Sequence, residues 1–433
     1  SESGAQAFAY APEVEDLFFQ IEARLIELAG PDAGGDLQIA RSRNDLAATM
    51  CRLMVRHRID EVMRLTLELR ATLIELVERH IDTLMPGITH TQPAQPTTLA
   101  HHLLGVLGPL ERDFGRLQHA WMTTNLCPLG VAAFTTTSFP IDRELTAALL
   151  GFDGIVENGY DAVGAADHLL ESTQALLTMA ASLSRFVGDL LIWARAEVGI
   201  LRVGDEFIQI SSIMPQKRNP VVLEHIRTRI GYVYGEAATV ATMVHGAAFG
   251  DTNDVEDPIY PPVSRAFDAA NAVLSLMNVV LRTAEFNVDM LARRAHEGFM
   301  TATALADGLV RDFGLPFRTA HRITARAVQA ATNSGTQGEI SPDLMDSVTR
   351  EELETSLHID PDWLSDQLDP WQFAASRTIS GGPARSSVEQ AIASAQDRLT
   401  TDESLLRTAQ TKIAGAEMER RRQIQELIST ESR

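Results

Sequence analysis

The sequence predicts an all-α protein built around a bundle of long helices, and three observations carry that reading. Between positions 44 and 85 there is no proline or glycine, and Leu53, Ile59, Val62, Leu65, Leu69, Leu73 and Leu76 recur at intervals that keep one helical face apolar. That pattern predicts one helix of about 35 to 40 residues, about 55 Å long. Further long stretches with helical patterning follow it, and strand signals are nearly absent. A helix of that length buries its apolar face only against other helices of similar length.

Taken in order, Val14, Leu17, Phe18, Ile21, Leu25 and Leu28 keep helical spacing up to Gly30, a suitable C-terminal cap. Positions 31–35 read as a loop. The first long helix leads, through 85–96, into a second over 97–126. After a loop at 127–140 a third helical region spans 158–199. A fourth runs over 221–246 and a fifth over 262–286. Shorter helices are expected at 301–313, 318–331, 341–348 and 388–428, with 413–433 highly charged and exposed. The division that follows is an N-terminal domain over 1–43, a central bundle over 44–296 and a C-terminal helical domain over 297–433.

A net charge of −21 over 433 residues argues against nucleic acid and anionic membranes as partners. It also means that a polycarboxylate substrate needs a locally positive pocket, so basic residues inside motifs carry more information. No apolar run approaches the ~20 residues of a membrane span. Ser1-Glu2-Ser3-Gly4 lacks the basic-then-apolar pattern of a signal peptide, and Cys51 and Cys127 lack CxxC spacing. A reducing, cytoplasmic location is expected.

Three blocks carry chemistry. In Ile210-Ser211-Ser212-Ile213-Met214-Pro215-Gln216-Lys217-Arg218-Asn219-Pro220, the two prolines bias their neighbours away from helix. The run is a loop, and Lys217 and Asn219 would face the same way if it is extended. That content suits a functional lid better than a bland connector. In Arg41-Ser42-Arg43-Asn44-Asp45, Ser42 or Asn44 can cap the first long helix and Asp45 suits its positive end. Arg41 and Arg43 oppose that dipole, whereas arginine beside free backbone N–H groups is what a carboxylate wants. In Met85-Pro86-Gly87-Ile88-Thr89-His90-Thr91-Gln92-Pro93-Ala94-Gln95-Pro96, Thr89, His90 and Gln92 sit together between prolines in a stiff joint. His101, His102, His119, His168 and His225 lack such company and read as structural. No HxxxH, HExxH or Cys/His cluster appears, and no GxGxxG or Walker loop, so neither metal nor cofactor is expected.

The three blocks together resemble the aspartase/fumarase superfamily. The loop meets every defined position of Ser-Ser-x-Met-Pro-x-Lys-x-Asn-Pro, with Ile210 where a glycine commonly precedes the serines. Positions 85–96 resemble the Pro-Gly-x-Thr-His-x-Gln-x-Ala-Gln-Pro block. Ser42-Arg43-Asn44-Asp45 is similar to the block that distinguishes argininosuccinate lyases, and 314–321 and 381–388 resemble their C-terminal landmarks. The resemblance implies an all-α aspartase/fumarase-type fold and a homotetramer whose active sites form where three subunits meet. It implies a cofactor-free lyase that splits an N-substituted aspartate into fumarate and an amine. By position, Ser211 would be the base, with Lys217 and Asn219 around the activated carboxylate. Ser42, Arg43, Asn44, Thr89, Gln92 and Ser212 would hold the succinyl carboxylates, and Met214 would line the same site. His90, paired with Glu224, would orient the substrate or lie near the leaving side.

One stretch departs. Argininosuccinate lyases carry Tyr-Asn-x-Asp-x-Gln-Glu-Asp-Lys after the signature helix, and its Tyr, Gln and Lys engage the amino-acid end of the substrate. Here one register gives Gly250, Val255 and Pro258, and the next gives Asp251, Glu256 and Ile259; neither keeps any of the three. A family histidine before the Ser-Arg-Asn block is Gln38. Loss of such contacts changes specificity. The profile is similar to ethylenediamine-N,N′-disuccinate (EDDS) lyase, which acts on aminopolycarboxylates, ahead of argininosuccinate lyase itself. A non-catalytic, crystallin-like protein on the same fold is the reading of another class, and the presence of Ser211, His90, Lys217, Asn219 and Glu224 speaks against it.

Overall fold

The computed structural model describes residues 17–333 and 339–431. The first helix, α1 (Leu17–Ala29), ends at Gly30, whose φ of 83° is the left-handed stop expected there; Val14 lies outside the described residues. Pro31–Gly35, expected as a loop, is a short helical turn with proline at its first position, where a missing N–H costs nothing.

Five long helices form the bundle: α2 (Arg43–Arg79), α3 (Leu99–Thr124), α4 (Asp167–Trp193), α5 (Val221–Val244) and α6 (Tyr260–Thr283). Each packs on the next, and α6 closes the ring against α2. Ile59, Leu69, Leu73, Leu103, Leu110, Leu176, Leu183, Ile226 and Phe267 fill the interior. Each such side chain taken from water contributes roughly 1.5–3 kcal/mol. By length and composition alone α4 is apolar enough to cross a membrane, a helix that the sequence reading passed over. In the fold it is the middle helix of the bundle, in contact with α3, α5 and α6.

Beyond the bundle, α7 (Ala302–Phe313), α8 (Phe317–Asn333) and α9 (Pro342–Leu353) enclose a separate small core with Leu305, Ile323, Met345 and Leu364. The last helix, α10 (Arg385–Glu431), was expected in that C-terminal domain and is not part of its core. It lies along α2 and α3, and its Val388, Ile392, Ala395 and Leu406 join the bundle core. The reason is length: an apolar stripe running from 388 to 406 needs a long partner surface, which α2 supplies and the short helices of the small domain do not.

That docking is fastened by a buried charge. Arg70 on α2 is 0% exposed, 2.6 Å from Asp402 of α10, and its guanidinium lies 5.6 Å from the Phe114 ring centroid. Glu111 stands 4.0 Å away on the other side. Replacing Asp402 by alanine leaves Arg70 with the weaker partner alone and should cost about 2–3 kcal/mol. Urea unfolding of the variant against the parent chain measures this, and an unchanged midpoint would show that α10 docks through its apolar stripe only.

The joint between α2 and α3 is a correction. Helix α2 stops at Arg79, and the expected helical and stiff-loop residues after it form an antiparallel hairpin of β1 (Leu84–Thr89) and β2 (Gln92–Thr98). Pro86, Pro93 and Pro96 hid it, because proline argues against a central strand; in a two-stranded ribbon both strands are edges, and an edge tolerates it. Register slips between Gly87 and Ile88, and a side chain at Gly87 would meet the Gln95 carbonyl oxygen at 2.5 Å. The third helical region is likewise broken, into Gly159–Gly164 and α4.

Candidate active site

The Ser42 block starts α2. Ser42 is the N-cap in extended backbone: its Oγ accepts from the Asn44 N–H at 3.3 Å, and its own N–H donates to Asp45 Oδ1 at 3.0 Å. Sequence reasoning saw Asp45 only as a favourable charge. The structure buries it completely and gives its Oδ2 two further donors, the N–H groups of Gly130 and Ala132, each at 2.9 Å. Asp45 therefore ties the loop after α3 to the helix start. The Arg43 guanidinium lies 5.1 Å from the centroid of the Phe19 ring, so α1 covers this end.

The second block is the hairpin tip. Thr89 pairs with Gln92, and His90 and Thr91 between them have φ of 50° and 65°. Two consecutive positive φ values are what a two-residue type I′ turn demands, and glycine or asparagine normally supplies them. A β-branched threonine there is held in an unfavourable conformation, a form of strain that collects at functional sites. His90 is exposed.

The signature loop is carried by a second small hairpin, β3 (Gln209–Ile210) with β4 (Arg218–Asn219), and runs straight into α5. Asp205 pairs with both Arg218 and Arg202 at its base. Ser211 Oγ accepts from the backbone N–H of Met214 at 3.0 Å and of Ile213 at 3.3 Å. Two donors on one hydroxyl oxygen favour its deprotonated form. Ser212, Met214 and Lys217 are exposed, Asn219 is half-buried in β4, and Glu224 projects from the first turn of α5. Ile210 and Ile213 are 77% and 86% exposed, which is unusual for isoleucine and fits a surface covered by something else.

One chain does not assemble these blocks. At the helical rise, the 37 residues of α2 put about 55 Å between Asn44 and the hairpin. The signature loop shares the hairpin's end of the bundle, where Trp193 and His80 both pack on Phe286. Among the described residues, neither a hydrogen bond nor an ion pair joins the hairpin tip to the loop, or His90 to Glu224. A cleft of about 1300 Å³ runs behind the hairpin and takes in Thr89 but none of the other expected site residues.

At the Ser42 end, the structure brings in residues that the sequence reading had counted only as lost contacts. The segment before α6 packs against the Gly159–Gly164 turn so closely that a side chain at Gly164 would meet the Gly250 backbone at 2.8 Å. Asp251 and Glu256 thereby line a small cavity with Asn44, Cys51, His168 and Tyr260. The hydrogen bond to Asp251, partial burial and the charges of Asp251 and Asp257 push Glu256 up to about 7. Burial raises the Cys51 thiol to about 12, and burial and Arg52 hold His168 well below the usual histidine range. The acid run 251–257 was the available signal for this wall.

Residues 2–235 match a family described as lyase, and residues 299–374 match the argininosuccinate lyase C-terminal family. Argininosuccinate lyase 1 of Shouchella clausii is 36% identical over 92% of this chain and 80% of its own length. Argininosuccinate lyase of Halobacterium salinarum is 40% identical over 93% and 81%. Among solved structures, EDDS lyase in complex with formate superposes with a TM-score of 0.88 at 32% identity, covering 95% of this chain and 82% of that one.

Proposed function

The chain belongs to the argininosuccinate lyase-like family of the aspartase/fumarase superfamily, carbon–nitrogen lyases that release fumarate, and from this we propose that its substrate is an aminopolycarboxylate of the EDDS type. The observation that carries the choice is the wall beside Asn44. Where the family's Tyr, Gln and Lys would receive an amino acid's end, this chain presents Asp251 and Glu256. Loss of the lysine and tyrosine removes the groups that suit an amino acid's α-carboxylate, so the amine end of the substrate is read differently here.

In this reading Ser211 takes the proton from the carbon next to the substrate carboxylate that Lys217 and Asn219 surround. The resulting dianion is held by positive charge and donors already in place, the usual largest source of rate enhancement. The C–N electron pair then leaves with the amine, which takes up a proton, and the carbon skeleton departs as fumarate. Ser42, Arg43, Asn44, Thr89, Gln92 and Ser212 hold the carboxylates, and Glu224 orients His90. Because α2 holds these groups apart within one chain, the working unit is a homotetramer with sites shared between subunits. Argininosuccinate lyase is the second reading, favoured by the 36% and 40% identities above.

Fumarate release from EDDS and from argininosuccinate, followed side by side at 240 nm, separates the two. A kcat/KM at least about 100-fold higher on EDDS is expected, because a site built for one set of polar groups rejects another. Equal rates would overturn the aminopolycarboxylate reading.

A further inference from the structure

We propose that the pocket behind the signature loop binds a small oxyanion of two or more charges, inorganic phosphate being the simplest, and that this anion braces the strand carrying Asn219. The bracing matters for catalysis through the reading that Lys217 and Asn219 attend the substrate; the binding does not depend on it.

The pocket encloses about 500 Å³. Three chain segments each bring one arginine to it: Arg195 from the turn after α4, Arg202 from the short strand Leu201–Arg202, and Arg218 from β4. Among the described residues that line it, Glu285 alone is acidic. In a chain of net charge −21, that is a local reversal of sign.

Two of the guanidinium groups already converge on one oxygen. Arg202 reaches Asp205 Oδ1 at 3.3 Å, and Arg218 pairs with the same atom from the other segment. Arg202 also donates to Glu285 at 3.1 Å. Both acids are exposed, and ion pairs of that kind are worth little in water, so a dianion can compete for their partners. Each guanidinium has five N–H donors in a planar fork that matches a phosphate or carboxylate edge. Arg195 is exposed and, among the described residues, has no side-chain hydrogen bond or ion pair.

The lining also shows which way β4 faces. Arg218 and Pro220 border the pocket, whereas Asn219 between them and Lys217 before them do not. That is the alternation an extended chain imposes. An anion gripped by Arg218 therefore holds the strand from the side opposite Asn219. The ladder of β4 to β3 is only two residues long, so a further anchor has a large effect on it.

Isothermal titration of the intact enzyme at pH 8 with phosphate and with pyrophosphate, against chloride at matched ionic strength, tests the site. Both oxyanions should bind and chloride should not. Arg195→Ala, which removes an exposed side chain, should weaken both at least about tenfold, the loss of one charge-assisted contact. Hydrogen exchange over 209–220 should slow at least about threefold with saturating phosphate in the parent and stay unchanged in Arg195→Ala. Binding of neither oxyanion would overturn the proposal. So would binding that survives Arg195→Ala and is lost in Arg43→Ala, which would put the anion among the substrate-carboxylate groups instead. Binding that leaves exchange of the loop unaltered would overturn the bracing. Neither readout needs turnover, so the result is separate from that of the fumarate assays.

Discussion

Ser211→Ala should lower kcat for fumarate release by at least about 1,000-fold, with KM changed only a few-fold, since a positioned general base is worth 10²–10⁴. A serine hydroxyl is a poor base in water, and the structure supplies part of what changes that. Its Oγ already accepts two backbone N–H groups, and those bonds strengthen as the oxygen becomes anionic. Lys217 lies on the same loop, and closing the loop against a partner would remove the water that weakens these interactions. Ser211 is only half-buried in the single chain, so removing one oxygen leaves no core cavity, and thermal unfolding should not move. Ser212→Ala, which would lose a carboxylate contact and keep the base, should raise KM more than it lowers kcat. An Ser211→Ala enzyme within about tenfold of the parent would move the base elsewhere.

The long helices were legible because periodicity reports directly which face of a helix is apolar. The bounds of α5 and α6 lie within a few residues of those expected. Periodicity says nothing about which surface covers that face, and so α10 was assigned to the small domain although Val388 and Ile392 seal the bundle. The hairpin failed for a different reason. Pro86, Pro93 and Pro96 argue against strands unless one knows that the ribbon has only edges. At its tip, His90-Thr91 lacks the Asn-Gly signature that a type I′ turn usually shows, and strained backbone leaves no mark on composition. The candidate site was read as three blocks of residue types, since Ser211, Lys217 and Asn219 carry the same chemistry wherever they stand. Their separation was expected from a first helix too long to bring them together, and only the resemblance implied that a second copy supplies the missing groups. Asp251 and Glu256 were read as missing contacts. Only packing against Gly164 and Asn44 turns them into a wall with a chemistry of its own.

Mixing two inactive proteins, Ser211→Ala and Arg43→Ala, should restore activity when the subunits are co-expressed or refolded together. Arg43 sits at the start of α2 and Ser211 at the far end of the bundle, and about 55 Å of helix keeps them from meeting within one chain. A site that needs both must take Arg43 from one copy and Ser211 from another. In a randomly mixed oligomer, the copy giving Arg43 is intact at that position half the time, and so is the copy giving Ser211. Roughly a quarter of the sites are then complete, so about a quarter of parental activity is expected from two preparations that each have almost none. The exposed Ile210 and Ile213 around Ser211 point the same way, since a loop bearing them gains from being covered. A site contained in one chain behaves otherwise, because every chain in the mixture lacks one of its groups. Mixtures that stay as inactive as their components, at subunit ratios shown by mass to include hybrids, would rule out the shared site and require a large closure within each chain.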